Sequence, residues 1–133
     1  MTQPFTFTMM TYLETKCPLL SLPTPMLEWL EPTEKSTSLV QLEEQTVEKT
    51  YINGSKQYRI RFDIITQGNA VDRLTMISDM TGLQQLFQSL PNETSFGDGV
   101  TIRKVETTTP SLRAQTENGV IRYGFSATIV YKD

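Results

Sequence analysis

The sequence predicts an α+β fold, an antiparallel sheet built from hairpins with helices packed on one face. Three observations carry that expectation. From Tyr58 the chain alternates cleanly, with Tyr58, Ile60, Phe62 and Ile64 on one side of an extended strand and Arg59, Arg61 and Asp63 on the other. Just upstream stand Asn53 and Gly54, the pair that most readily takes the positive backbone angles of a tight hairpin turn. Further on, Met76, Met80, Leu83, Phe87 and Leu90 recur at the three- and four-residue intervals of an amphipathic helix.

The elements follow in chain order. Phe5, Met9, Tyr12 and Leu13 line one face of a short N-terminal helix over 5–16, expected to stop before Pro18 because a residue preceding proline resists the helical region. Residues 18–35 hold four of the seven prolines and no sustained period. They read as an irregular connector, with "MLEWLE" at most a turn of helix. Residues 37–52 turn extended, as one long bent strand or two short ones, with Glu43, Glu44 and Gln45 interrupting the apolar pattern. In the amphipathic helix Leu74, Ile77 and Leu86 are expected to widen the apolar stripe, a hinge is allowed near Gly82, and Pro91 closes the helix. A strand over Val100–Thr107 follows, Pro110 breaks it, and Asn118-Gly119 gives a second hairpin signal. The last strand places Ile121, Tyr123, Phe125, Ala127, Ile129 and Tyr131 on one face. Phe62, Ile64, Leu83 and Phe87 should therefore share one core. No internal repeat divides the chain, and residues 1–133 read as one domain.

Composition narrows the function. A charged fraction of 20% and a net charge of −3, with neither sign in a long block, lack the basic footprint of a nucleic-acid binder. The single cysteine, Cys17, excludes an internal disulfide, and no apolar run is long enough to span a membrane. Nor does the N-terminal sequence have the pattern of a signal peptide, so folding in a reducing cytoplasm is expected. Histidine is absent, which removes Ser-His and Cys-His nucleophile pairs and the side chain most used for proton transfer near neutral pH.

The remaining candidates for chemistry are weak. Cys17 has no histidine to activate it and reads as a small buried hydrophobe. Glu28, Glu31 and Glu34 share a three-residue spacing, but Pro32 opposes a regular helix to present them to a cation, so a solvated edge is the simpler reading. "FGDGVT" and "NGSK" lack the spacing and strand-turn-helix context of phosphate loops. Arg59, Arg61, Arg103, Lys104 and Arg122 fall on strands as a basic band, for which cross-strand pairing with Asp63 and Glu106 is the bland explanation. Trp29 and Leu30, with Met26 and Leu27, put apolar bulk on the proline-rich connector, as an anchor to the core or to a neighbouring subunit. The residues predict neither an enzyme nor a cofactor.

The segment "YINGSKQYRIRFDI" resembles one shared by phage minor capsid and tail-completion proteins, a group similar to tail terminators. There a strand ends in a Tyr-Ile-Asp/Asn-Gly turn, and a strand with alternating apolar residues follows. A helix comes next, then a C-terminal antiparallel pair whose last strand is rich in tyrosine. Tyr51, Ile52, Asn53, Gly54 and Phe62 match the first part, the Met76–Leu90 helix the second and "YGFSATIVY" the last, so the resemblance runs from Val47 to Tyr131. It implies a structural virion protein made in the bacterial cytoplasm and placed at the head-tail junction. It further implies a ring, hexameric in that group, that caps the tail tube and joins it to the head connector. DNA would pass through without specific binding, and no membrane is involved. Subunit contacts are then expected at Trp29, Leu30, Asn53, Gly54 and Lys56, on the connector and the hairpin. The alternative is a small α+β ligand-binding or interaction module without catalysis, its pocket between sheet and helices, lined by Met76, Met80, Phe87 and tyrosines.

Overall fold

A computed structural model describes residues 5–27, 36–92, 100–115 and 119–132. The fold is α+β. The described elements are α1 (Phe5–Leu19), β1 (Met26–Leu27), β2 (Ser36–Thr50), β3 (Lys56–Asn69), α2 (Arg73–Gln88), β4 (Thr101–Thr107), β5 (Ser111–Gln115) and β6 (Val120–Lys132), with 3₁₀ turns at Ala70–Asp72 and Leu90–Asn92. Strand order is β1-β2-β3-β6-β4, and β5 also pairs with β6. Every pairing is antiparallel except the two-residue parallel contact of β1 with Ser38 and Leu39 of β2.

The centre of the sheet is the β3–β6 pair, in unbroken register from Gln57↔Lys132 to Asn69↔Val120. Directly opposed residues share a face, so Tyr58/Tyr131, Ile60/Ile129, Phe62/Ala127 and Ile64/Phe125 form one apolar surface. Both helices lie on that surface. Phe5 of α1 stacks on Tyr131 with ring centroids 4.0 Å apart, and Phe87 of α2 meets Phe125 edge-on at 5.8 Å. Phe62, Ile64, Leu83 and Phe87 do share one buried core, joined by Phe5, Met9, Leu13 and Cys17 from α1.

Several expectations need correction. Helix α1 runs through Pro18 to Leu19. The proline sits in the last turn, where only one backbone bond is forgone, and the end is built just beyond it. Ser21 takes a left-handed φ of 56°, Leu22 N–H donates to the Cys17 carbonyl at 2.9 Å and Ser21 N–H to that of Pro18 at 3.3 Å. This is a Schellman ending with serine where glycine is usual. The connector is not wholly irregular, since Met26–Leu27 form β1; a two-residue bridge is too short to leave a period in the sequence. Residues 28–35, including the Glu28, Glu31 and Glu34 group, lie outside the described residues, as do Gly97, Asp98 and Gly99. Strand β2 is a single element, and its register shifts between Gln41 and Glu43, Glu43 and Thr46, and Val47 and Lys49, where the apolar pattern broke.

Helix α2 is unbroken through Gly82, which has a packing role. A Cβ there would come within 2.6 Å of Leu22 Cδ2, so the glycine lets the chain after α1 lie against α2. Leu74 and Ile77 do not widen the buried stripe: they are 82% and 37% exposed, whereas Met76, Met80, Leu83 and Phe87 are buried. At 3.6 residues per turn Leu74 lies about 160° round the helix from Met76, so proximity in sequence was misleading. Truncating Phe87 to alanine should lower unfolding free energy by about 3–5 kcal/mol, as expected for a large buried aromatic. A loss below about 1 kcal/mol in a denaturant titration would place α2 elsewhere.

Candidate assembly surfaces

The two helices cover one face of the sheet, and the other carries the polar half of the strand alternation. Register places Lys49, Gln57, Lys132 and Thr101 in one row across it, then Thr46, Arg59, Val130 and Lys104, then Glu43, Arg61, Thr128 and Glu106. The expected basic band is therefore present in part, but Glu106 pairs along its own strand and not across the sheet. Lys104 Nζ lies 2.7 Å from Glu106 Oε1, and each charge stabilises the other, raising the lysine and lowering the carboxyl from their ordinary values. Both are in open water, so this pair organises the surface more than it stabilises the fold.

Deeper on the same face, Asp63 is buried beside Ser126. Arg113 of β5 reaches across β6 to it, with Nη2 to Oδ1 at 3.1 Å and Nη1 to Oδ2 at 3.4 Å, while Ser126 Oγ donates to Oδ1 at 3.3 Å. Asp63 thus pairs with a residue that sequence spacing did not nominate. All five β5 side chains are exposed, so this forked bond and the ladder to β6 are the contacts that tie β5 down. Arg122 Nε donates to Gln67 Oε1 at 2.9 Å, securing another row. Gly124 sits between these rows. A Cβ there would meet the Ile64 carbonyl oxygen at 2.6 Å and Ile65 Cγ1 at 3.2 Å, so only glycine fits.

The hairpin residues proposed as contacts lie together at one end of the sheet. Gly54 takes a φ of 88°, and its N–H donates to the Tyr51 carbonyl at 3.0 Å, while Tyr51 N–H bonds the Ser55 carbonyl at 2.8 Å. Asn53 keeps a negative φ, and its Oδ1 accepts from Ser55 N–H and Oγ at 3.1 and 2.8 Å. The connection is a three-residue loop ending in a glycine bulge, not the two-residue turn that Asn53-Gly54 predicts. It is also not a long arm. Gln57 is already paired with Lys132, so only the loop and the Thr50↔Lys56 pair extend beyond the four-stranded body. Ile52 at its tip is fully exposed, and Lys56 is exposed beside it. Trp29 and Leu30 lie outside the described residues.

Three further features complete the surface. Beyond Leu39, β2 has a strand partner on its β3 side only, and β4 and β5 pair only with β6, among the described residues. Val71, Leu74 and Ile77 form an exposed apolar row along the outer side of α2 and the turn before it. Lys16, Leu20, Leu22, Gly82, Gln85, Leu86 and Ser89 line an open surface cleft of about 460 Å³. Of the residues expected to line a ligand pocket, Met76, Met80 and Phe87 are buried, and the gap bounded by Met9, Tyr12, Leu13, Leu86, Phe87 and Leu90 has no room for water. Among the described residues no group of His, Cys, Asp or Glu could hold a metal ion, and no helix is long and apolar enough to cross a membrane. No family model matches the chain, and no curated protein matches it.

Cys17 is buried in the core, and burial pushes its thiol up to about 11 from 9.0. The folded value is raised, so this contribution is fully present below pH 9.0 and is lost as pH rises towards about 11. The stability difference between the wild type and Cys17→Ala should shrink by on the order of 2 kcal/mol across that window. A difference independent of pH there would mean that the thiol ionises freely in the folded protein.

Proposed function

We propose that the protein is a non-catalytic assembly subunit of a tailed-phage virion, of the tail-terminator or completion type. In this reading copies join into a ring, a hexamer by the resemblance, that caps the tail tube and meets the head connector. DNA passes through its lumen without specific binding. The observation that carries the reading is the one-sided sheet: helices cover one face, while among the described residues nothing covers the other face or pairs with the outer edges of β4, β5 and β2 beyond Leu39. A ring needs two different surfaces on each subunit, one to meet each neighbour, and this geometry offers several. The order of hairpin, helix and C-terminal antiparallel pair also agrees with the group that the Tyr51–Gly54 turn resembles.

The alternative, a small ligand-binding module without catalysis, has the open cleft beside Leu22 and Gly82 in its favour. Purified protein separates the two. Sedimentation and negative-stain electron microscopy should give a discrete ring, or a polymer whose size grows with concentration. A monomer at every concentration tested would overturn the assembly reading.

A further inference from the structure

The loop that joins β2 to β3 sets a labile side chain beside an unhindered nitrogen. Asparagine is chemically labile because its amide carbon is open to attack by the backbone nitrogen of the residue that follows. Here that residue is Gly54, which has no Cβ to crowd the approach, and Asn53 and Gly54 are both exposed. Gly54 N–H donates to the Tyr51 carbonyl at 3.0 Å. That bond lies in an exposed loop, where water replaces the carbonyl as the nitrogen turns towards the side chain.

The electrophile is held and polarised. Asn53 Oδ1 accepts two hydrogen bonds from Ser55, from its N–H at 3.1 Å and its Oγ at 2.8 Å. Attack at Cγ moves an electron pair onto that oxygen, and two donors already aimed at it stabilise the charge as it develops. The same bonds keep the amide folded back on its own backbone, so the reacting groups stay close.

We infer that Asn53-Gly54 is a self-modification site, at which the asparagine converts to aspartate and isoaspartate with Ser55 assisting. The Gly54 nitrogen forms a bond to Asn53 Cγ and gives up its proton to water. The Cγ–Nδ2 bond then breaks, and the amino group takes a proton from water and leaves as ammonia. Water opens the succinimide ring that remains, at either of its carbonyls. Addition at Cγ yields aspartate; addition at the main-chain carbonyl yields isoaspartate, whose backbone is lengthened through Cβ and Cγ. Either product places a carboxylate on the exposed end of the sheet. Water is the sole co-reactant, and the chemistry does not depend on assembly.

The test incubates the full chain, dilute and folded, at mildly alkaline pH, and reads each asparagine by mass spectrometry after digestion. The second Asn-Gly pair of the sequence, Asn118-Gly119, serves as the internal reference in every sample. Asn53 should show the mass change of an amino group replaced by hydroxyl. Ser55→Ala keeps the backbone donor and lacks the hydroxyl, so conversion at Asn53 should slow relative to the reference. A buried donor to an oxyanion is worth about a hundredfold or more; this one faces water, so a slowing of roughly threefold to tenfold is expected. Ser55→Thr retains the hydroxyl and should restore the rate, with circular dichroism unchanged in both variants. No conversion at Asn53 would overturn the inference. Conversion as fast or faster in Ser55→Ala, or a slowed rate that Ser55→Thr fails to restore, would also overturn it, because Ser55 would then brace the loop without assisting the attack.

Discussion

The register between β3 and β6 is the constraint on which the rest of this structure depends. Their ladder has no irregularity from Gln57↔Lys132 to Asn69↔Val120, whereas β2 and β4 both shift register against these central strands. A slip by one residue would turn Tyr58, Ile60, Phe62 and Ile64 outward and bring Arg59, Arg61 and Asp63 beneath the helices. With the register fixed, Phe5 and Phe87 have an apolar floor, and Asp63 falls opposite Ser126 within reach of Arg113. Gly124 belongs to the same constraint, since the central pair leaves no space for a side chain over the Ile64 carbonyl.

The helical layer is held by fewer devices. The Schellman ending of α1 turns the chain so that Leu22 falls on Gly82, the one place on α2 where a leucine can approach the helix backbone so closely. Below, Phe5, Met9, Leu13 and Cys17 occupy every fourth position of α1 and are buried, joining the aromatic surface of the sheet. A buried thiol with its ionisation pushed upward is the behaviour of a packing residue, and the sequence contains no histidine to activate it.

Much of this was legible from residue order. The alternation in β3 and β6 predicted which side chains face the helices, because a period of two leaves no ambiguity once one face is apolar. The helical stripe from Met76 to Phe87 was equally plain. Leu74 and Ile77 were misread because apolar residues close in sequence were credited to one face without following the turn of the helix. The three-residue hairpin loop was missed because Asn53 uses its side chain to brace Ser55 and does not adopt a positive φ. Arg113 gave no signal as the partner of Asp63, since that bond crosses an intervening strand and depends on tertiary placement. For the proposed assembly surfaces, residue order pointed to the hairpin residues Asn53, Gly54 and Lys56, whereas the rows of charge on the open face appear only when register assigns each strand residue a face.

If the β3–β6 register organises the subunit, it should also be the last part to open. Native-state hydrogen exchange on dilute, unassembled protein tests this most directly, because each amide reports the free energy of its own opening. The account predicts slowest exchange in Ile60–Thr66 and Phe125–Ile129, with β5 and the exposed end of β2 from Thr46 to Thr50 exchanging early. Slowest exchange in β5 or in α2, with the centre of β3 and β6 opening first, would contradict it.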